Sequence, residues 1–196
     1  MRSPTDLIRT DIASMKTYQP IYPFDVVAAR LGRAPEEIVK LDANENPYGP
    51  SPQVRAALAD LPYVHVYPDP ESRALRSALA RYAGVPAELL LAGAGSDELI
   101  DLIMRLFLQP GDAILTCSPT FGVYAFDAAI AGAETIDVPR GDAFELDLDA
   151  IEAATLRHRP KLLFLTTPNN PDGGWLPDKD LERMLELPLV TVLDEA

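Results

Sequence analysis

The feature that most constrains the fold is a regular alternation of short apolar runs and helical segments between residues 89 and 196. The apolar runs are LLLAG, DAILTC, AETIDVP, KLLFLTT and LVTVLDEA, and the segments between them are SDELIDLIMRLFL, FGVYAFDAAIAG, LDAIEAA and DKDLERMLEL. Strands that alternate with helices need crossover connections, which favour parallel pairing. Several runs are apolar throughout, as expected for strands that helices cover on both faces. The pattern therefore predicts an α/β fold with three layers, α/β/α, and a mostly parallel sheet.

The first 88 residues are organised differently. Residues 1–50 contain a short helical stretch, FDVVAARLG, and an extended stretch, IVKLDANENP, with turns between them and little core of their own. Two amphipathic helices follow: one begins with Ser51 as its cap and Pro52 in its first turn, and the other ends at Gly84. We therefore predict an N-terminal arm with part of a small domain over residues 1–50, and a larger domain over residues 51–196.

Charge and composition narrow the range of partners. The chain has 30 acidic and 17 basic residues and a formal net charge of −13, which opposes binding to nucleic acid phosphates or anionic lipid. One cysteine and two histidines are too few for a typical structural zinc site. The N-terminus lacks the apolar core of a secretion signal, and no apolar run reaches the ~18 residues of a membrane span. We expect a cytoplasmic protein that binds small molecules, with no metal and with neither nucleic acid nor membrane as a partner.

Ligands of parallel α/β sheets collect beyond the carboxyl ends of the strands, so the residues after each apolar run are candidates for a site. The first run is followed by GAGSDELI, in which Gly95 permits a tight turn and Ser96 and Asp97 open a helix. A helix start presents unpaired N–H groups and a partial positive charge, which suit a phosphate. A simple helix cap by Ser96 or Asp97 explains the same letters, and this alternative stays open.

Three further candidates follow later runs. Phe121 could cover a planar ligand or pack in the core, and Asn170 could donate a hydrogen bond to an anionic oxygen or belong to a structural turn. Asp194 ends an apolar strand that we place near the middle of the sheet, where a carboxylate needs a cationic partner, within the site or as a structural salt bridge. Together with a phosphate cradle, these groups would surround a phosphorylated heteroaromatic ring.

The whole chain resembles the N-terminal portion of the fold-type I pyridoxal-phosphate aminotransferases, and among them the histidinol-phosphate aminotransferases most. The motifs that carry the resemblance are, in order, YQPIYPFDVVAARLG, IVKLDANENPYGP, VYPDPES, GAGSDELI, SPTFGVY, TPNNPDGG and VLDEA. The resemblance implies pyridoxal 5′-phosphate (PLP) as cofactor, a homodimer, and residues 51–196 as part of the cofactor-binding large domain. It also implies transfer of an amino group between L-histidinol phosphate and 2-oxoglutarate in histidine biosynthesis.

By this resemblance, Phe121 would lie against the pyridine ring, and Asn170 would donate a hydrogen bond to its phenolic oxygen. Asp194 would pair with the protonated pyridine nitrogen, and Tyr67 would reach the phosphate bound by the neighbouring subunit. With the three residues that would hold the phosphate, the implied cofactor-binding set is Gly95, Ser96, Asp97, Phe121, Asn170, Asp194 and Tyr67. The implied substrate-side residues are Tyr18, Asn44 and Asn46.

The sequence departs from the family pattern at three points. Ala94 stands where the usual family motif GNGSDE has an asparagine. Asp172 replaces the threonine of the usual NPTG motif, a change that the turn should tolerate. The family's Schiff-base lysine and substrate-carboxylate arginine follow the last motif present here, so the resemblance assigns no catalytic residue to these 196 residues. We therefore expect a truncated chain that does not transaminate alone and whose last strand has an unpaired side.

Other assignments stay open at this stage. One is another PLP enzyme of the same fold type, such as an aromatic aminotransferase or a phosphothreonine-type decarboxylase. A second is a noncatalytic dimerisation or cofactor-binding fragment. A third is a nucleotide-binding domain that uses GAGSDE, although the chain lacks the P-loop lysine and a full dinucleotide fingerprint.

Overall fold

The computed structural model describes residues 2–17 and 21–196. Its α-helices are α1 (Thr10–Ala13), α2 (Phe24–Leu31), α3 (Pro52–Ala59), α4 (Arg73–Ala83), α5 (Ser96–Phe107), α6 (Val123–Ala131), α7 (Leu148–His158) and α8 (Asp178–Leu185). Its strands are β1 (Ala113–Thr116), β2 (Glu134–Asp137), β3 (Leu162–Thr166) and β4 (Val190–Asp194). Short 3-10 helices lie at Pro4–Leu7, Pro35–Glu37 and Ala87–Leu89. None of the helices described here has the length and apolar character needed to cross a membrane.

The four strands form one sheet in the order β2-β1-β3-β4, and each neighbouring pair is parallel. The register places Thr116 of β1 opposite Asp137 of β2, and Thr166 of β3 opposite Asp194 of β4. These four residues therefore mark the carboxyl end of the sheet, where the loops that follow β1 and β3 come together.

Helices cover both faces of the sheet. Alternate residues of β3 belong to two separate clusters of buried side chains, because successive side chains of a strand point to opposite faces. Leu163 and Leu165 pack with residues of α7 and α8, whereas Leu162 and Phe164 pack with residues of α5 and α6. The predicted three-layer α/β/α arrangement with a parallel sheet is confirmed.

Two predictions about strands are wrong. The run LLLAG forms no strand, since a 3-10 helix ends at Leu89 and residues 90–95 have no regular structure. A strand needs a hydrogen-bonded neighbour, and none of the described strands pairs with this segment, in which Leu91 is 67% exposed. β4 lies at the side of the sheet rather than near its middle, because β3 is its only partner among the described strands.

The chain divides into two compact units. The first comprises the described residues up to Lys16 together with Leu91–Ala196, and the second comprises the described residues of Thr17–Leu90. In the second unit, the side chain of Ser51 caps α3 and Gly84 ends α4, as predicted. The division lies elsewhere than the predicted domain boundary at residue 50, which stays a prediction.

Candidate functional site

The turn that precedes α5 has the geometry of an anion-binding helix start. Gly95 has φ 95° and ψ 172°, a conformation that is essentially restricted to glycine. No side chain caps this helix, so the first N–H groups of α5, including those of Ser96 and Asp97, have no partner within the helix. All three residues are exposed. The carboxylate of Glu98 accepts from the N–H of Ala94, so the donors left for an anion are the N–H groups at the start of α5, at the positive end of its dipole.

Asp194 lies at the carboxyl end of β4 and is half-buried. Its two carboxylate oxygens accept hydrogen bonds from neutral donors: the Tyr124 hydroxyl at 2.5 Å from Oδ2 and the Ala196 N–H at 3.0 Å from Oδ1. Within residues 2–17 and 21–196, no lysine or arginine forms an ion pair with it. The predicted cationic partner is thus not a side chain of the described part of the chain. The carboxylate is oriented by these two hydrogen bonds.

Phe121 follows β1 and lies beside Tyr124 on α6. The two ring centroids are 5.6 Å apart and the ring planes are at 82°, an edge-to-face contact. Phe121 is half-buried at the margin of the core cluster that includes Tyr124 and Phe164. It therefore packs against the core through one part of its ring and keeps another part accessible, and its predicted contact with a ligand stays a prediction.

The loop after β3 is closed by polar contacts around Asn169. This buried side chain donates from Nδ2 to the carbonyl of Pro119 at 3.1 Å and to the carboxylate of Asp172. The other oxygen of Asp172 accepts from the N–H of Gly174 at 2.8 Å. Asp172 thus closes the turn, which supports the prediction that the turn tolerates it. The neighbouring Asn170 is half-buried, and its predicted contact with a ligand stays a prediction.

Tyr124 brings the parts of the site together. Burial raises the pKa of its hydroxyl, the hydrogen bond to Asp194 raises it further, and the charges of Asp194 and Asp97 add to the shift. The hydrogen bond between Tyr124 and Asp194 joins α6 to the end of β4. Of the predicted residues, Phe121 and Asp194 both contact Tyr124.

Four residues of this network were missed by sequence reasoning: Thr120, Tyr124, Thr166 and Asn169. Tyr124 stands in an apolar helix, FGVYAFDAAIAG, where it reads as a core residue. Thr120 follows a proline, which predicts a turn, and Thr166 lies inside an apolar run, which predicts a strand. A usable signal for two of them was their position, because Thr166 is the last residue of β3 and Asn169 follows that strand.

Four predicted residues remain. Tyr18 falls outside the described residues. Asn44, Asn46 and Tyr67 belong to the second unit, in which the Asn46 side chain accepts from the N–H of Tyr48 at 3.0 Å and Tyr67 is 97% exposed. Their roles stay predictions.

The described site contains no evident nucleophile. None of the described hydrogen bonds or ion pairs of the site involves a lysine, and Lys161 pairs with Asp112 at the opposite end of β3. Burial raises the pKa of the Cys117 thiol to about 12, so this group is protonated at neutral pH. The described residues also contain no cluster of His, Cys, Asp and Glu that could hold a metal. The site can therefore bind and orient a ligand, and we assign it no covalent step.

Comparison with known proteins gives one consistent set of relatives. Residues 36–196 match the family model "Aminotransferase class I and II". The chain is 54% identical over 189 residues to the chloroplastic histidinol-phosphate aminotransferase of Nicotiana plumbaginifolia, covering 96% of this chain and 46% of that protein. It is 52% identical to the histidinol-phosphate aminotransferase of Roseiflexus castenholzii, covering 99% of this chain and 54% of that protein.

A solved structure shows the same architecture. The histidinol-phosphate aminotransferase of Sinorhizobium meliloti in complex with pyridoxal-5′-phosphate superposes with a TM-score of 0.82 and 29% sequence identity. The superposition covers 97% of this chain and 51% of that chain. The chain thus spans about half the length of the relatives it matches.

Proposed function

The chain belongs to the aminotransferase class I and II family, and we propose that it forms part of a PLP-dependent enzyme that transfers an amino group between L-histidinol phosphate and 2-oxoglutarate. Relatives above 50% identity that cover nearly the whole chain share the name histidinol-phosphate aminotransferase. Because the chain spans about half their length, the activity is proposed for a protein of the relatives' length that contains residues 1–196, called the full-length protein below.

The observation that carries the cofactor assignment is the state of Asp194. Its carboxylate is fixed by two neutral donors and has no cationic partner among the described residues, as a site for a protonated ring nitrogen requires. The uncapped start of α5 at Gly95 offers N–H groups to a phosphate. Phe121 presents part of an aromatic ring beside the same site. The described residues therefore fit PLP.

Each residue has a defined task in this proposal. The backbone of Gly95, Ser96 and Asp97 and the Ser96 hydroxyl would hold the phosphate, Phe121 would cover the ring, and Asn170 would bind the phenolic oxygen. The cofactor supplies an electron-accepting ring for the negative charge that develops when a proton leaves the substrate carbon. Asp194 contributes by keeping the ring nitrogen protonated, because a nearby anion favours the cationic form.

Steady-state kinetics of the full-length protein test the substrate. L-Histidinol phosphate with 2-oxoglutarate should give the highest kcat/KM, compared with phenylalanine as amino donor and with phosphothreonine decarboxylation. Preference for phenylalanine or phosphothreonine would replace the proposed substrate but keep the family. PLP binding without turnover of any of the three would favour a noncatalytic cofactor-binding role.

A pair of glycine substitutions tests phosphate binding at Gly95, Ser96 and Asp97, called the phosphate cradle here. Gly95→Ala places a Cβ in a glycine-only conformation; no atom lies within 4 Å of it, so its cost is backbone strain. We expect the free energy of unfolding to fall by about 1–3 kcal/mol and the Kd for PLP to rise. Gly122→Ala is the control, since Gly122 has φ −69° and ψ −15° and equally open surroundings. Its stability should be unchanged or slightly higher. Equal effects of the two substitutions would contradict the cradle.

We also propose that the full-length protein is a homodimer. The support is an exposed apolar segment in the second unit, where Tyr63, Val64 and Val66 are 71%, 81% and 56% exposed and line a surface groove together with Tyr67. Groups of large exposed apolar side chains are typical of interaction surfaces. Sedimentation velocity of the full-length protein should give twice the mass of one chain, and a monomer at micromolar concentration would contradict the proposal.

A further inference from the structure

Tyr124 is fully buried and firmly held. Its ring stacks on Phe164 with centroids 4.7 Å apart and planes at 21°, and it meets Phe121 edge-on. Contacts on two sides fix the ring, so they also fix the position of its hydroxyl. That hydroxyl is 2.5 Å from Oδ2 of Asp194 and 3.0 Å from Oγ1 of Thr166.

The number of available hydrogens sets the direction of these bonds. An ionised carboxylate only accepts, so the single hydroxyl hydrogen of Tyr124 is donated to Asp194. The Tyr124 oxygen then accepts the hydrogen of Thr166. Thr120 Oγ1 lies 3.2 Å from both Thr166 Oγ1 and Asn169 Oδ1, so its one hydrogen is shared by two acceptors. The bonds therefore form a directed chain from the loops after β1 and β3 to the carboxylate at the end of β4.

Resting on the proposed function, we propose that Tyr124 is a positioning residue that fixes the carboxylate of Asp194 toward the ring nitrogen of PLP. Asp194 is the last residue of β4 and is half-buried, and the backbone hydrogen bonds of the strand do not fix the rotation of its side chain. The Tyr124 hydroxyl on Oδ2 and the Ala196 N–H on Oδ1 select one orientation. Hydrogen bonds to ionised groups are stronger than those between neutral groups, so these two bonds hold the carboxylate in that orientation.

The environment keeps Tyr124 in its donor form. Burial, followed by the hydrogen bond to Asp194, raises the pKa of the phenol, so the hydroxyl stays protonated through neutral pH. A phenol that stays protonated donates to Asp194 whether the substrate is present or not. Tyr124 can therefore orient the acid through this hydrogen bond at neutral pH.

The test uses Tyr124→Phe in the full-length protein loaded with PLP that carries ¹⁵N in its ring. This substitution keeps the ring contacts and removes only the hydroxyl. The ¹⁵N chemical shift reports whether the ring nitrogen is protonated, and its pH titration should move down by about one unit, because losing one hydrogen bond to a charged group changes the equilibrium about tenfold. Tyr82→Phe removes a hydroxyl from a side chain that is 92% exposed and should leave the titration unchanged.

A second pair separates the hydrogen-bond chain from simple packing. Thr166→Val removes a hydroxyl that bonds to Tyr124 and should shift the titration in the same direction by a smaller amount. Thr155→Val removes a buried hydroxyl with no hydrogen-bond partner among the described residues and should leave it unchanged. Both variants replace a buried threonine by valine, but only Thr166→Val removes a hydrogen bond to Tyr124.

The outcomes distinguish this proposal from the proposed function. If Asp194→Ala moves the ring-nitrogen titration and Tyr124→Phe does not, the positioning role is overturned and the proposed function stands. If Tyr124→Phe lowers thermal stability without moving the titration, Tyr124 is only a packing residue and the positioning role is again overturned. If the unsubstituted full-length protein does not bind PLP, the proposed function itself fails.

Discussion

Asp194→Ala should reduce kcat/KM for transamination by the full-length protein on the order of a hundredfold, because a hydrogen bond to a charged group contributes about 1.5–3 kcal/mol and each 1.4 kcal/mol is tenfold in rate. The substitution removes the carboxylate that keeps the ring nitrogen protonated. It leaves the donors at the start of α5 unchanged, so PLP should still bind, with a higher Kd. Kinetics and a PLP titration of the same preparation measure the two effects separately.

Two further variants show whether the loss of activity is due to the charge of Asp194. Asp194→Asn keeps the size of the side chain but removes its charge, so it should lose nearly as much activity as Asp194→Ala. Glu195→Ala removes an equal charge from the exposed neighbouring residue and should retain most of the activity. Near-normal turnover of Asp194→Ala, or a comparable loss in Glu195→Ala, would rule out the ring-nitrogen role.

The fold could be predicted from the sequence where local patterns decide it. Apolar runs and helix caps predicted the layers and the parallel sheet, and the residues at the strand ends gave a candidate site whose roles stay predictions. The run LLLAG was misassigned because strand formation depends on a neighbour, which propensity does not specify. The place of β4 at the side of the sheet has the same cause. Cytoplasmic localisation stays a prediction.

The network around Asp194 could not be predicted for a different reason. Asp194 was identified as an acid that needs a partner, yet the partner is Tyr124, 70 residues away along the chain. Its hydroxyl reaches Asp194 only because α6 packs across β3 and brings Tyr124 onto Phe164. Such a contact depends on packing geometry, whereas the sequence shows only an aromatic residue in an apolar helix.

Phe164→Ala should lower the free energy of unfolding of the full-length protein by about 3–5 kcal/mol, the usual cost of removing a buried phenylalanine. The side chain is 1% exposed, and it lies between the sheet and α6. The substitution also removes the ring on which Tyr124 stacks, so the affinity for PLP should fall as well. Urea unfolding of the apo protein measures the first effect, and a PLP titration measures the second.

Leu165→Ala is the matched control, because Leu165 is the next residue of β3, is equally buried, and packs on the opposite face with the cluster of α7 and α8. It should cost about 2–5 kcal/mol of unfolding free energy. PLP affinity should nevertheless stay close to that of the unsubstituted protein. An equal loss of affinity in both variants would mean that cofactor binding follows global stability. A loss confined to Phe164→Ala would show that packing on the face of the sheet toward α5 and α6 stabilises the site. In that case Phe164 holds Tyr124 in place, and Tyr124 in turn orients Asp194.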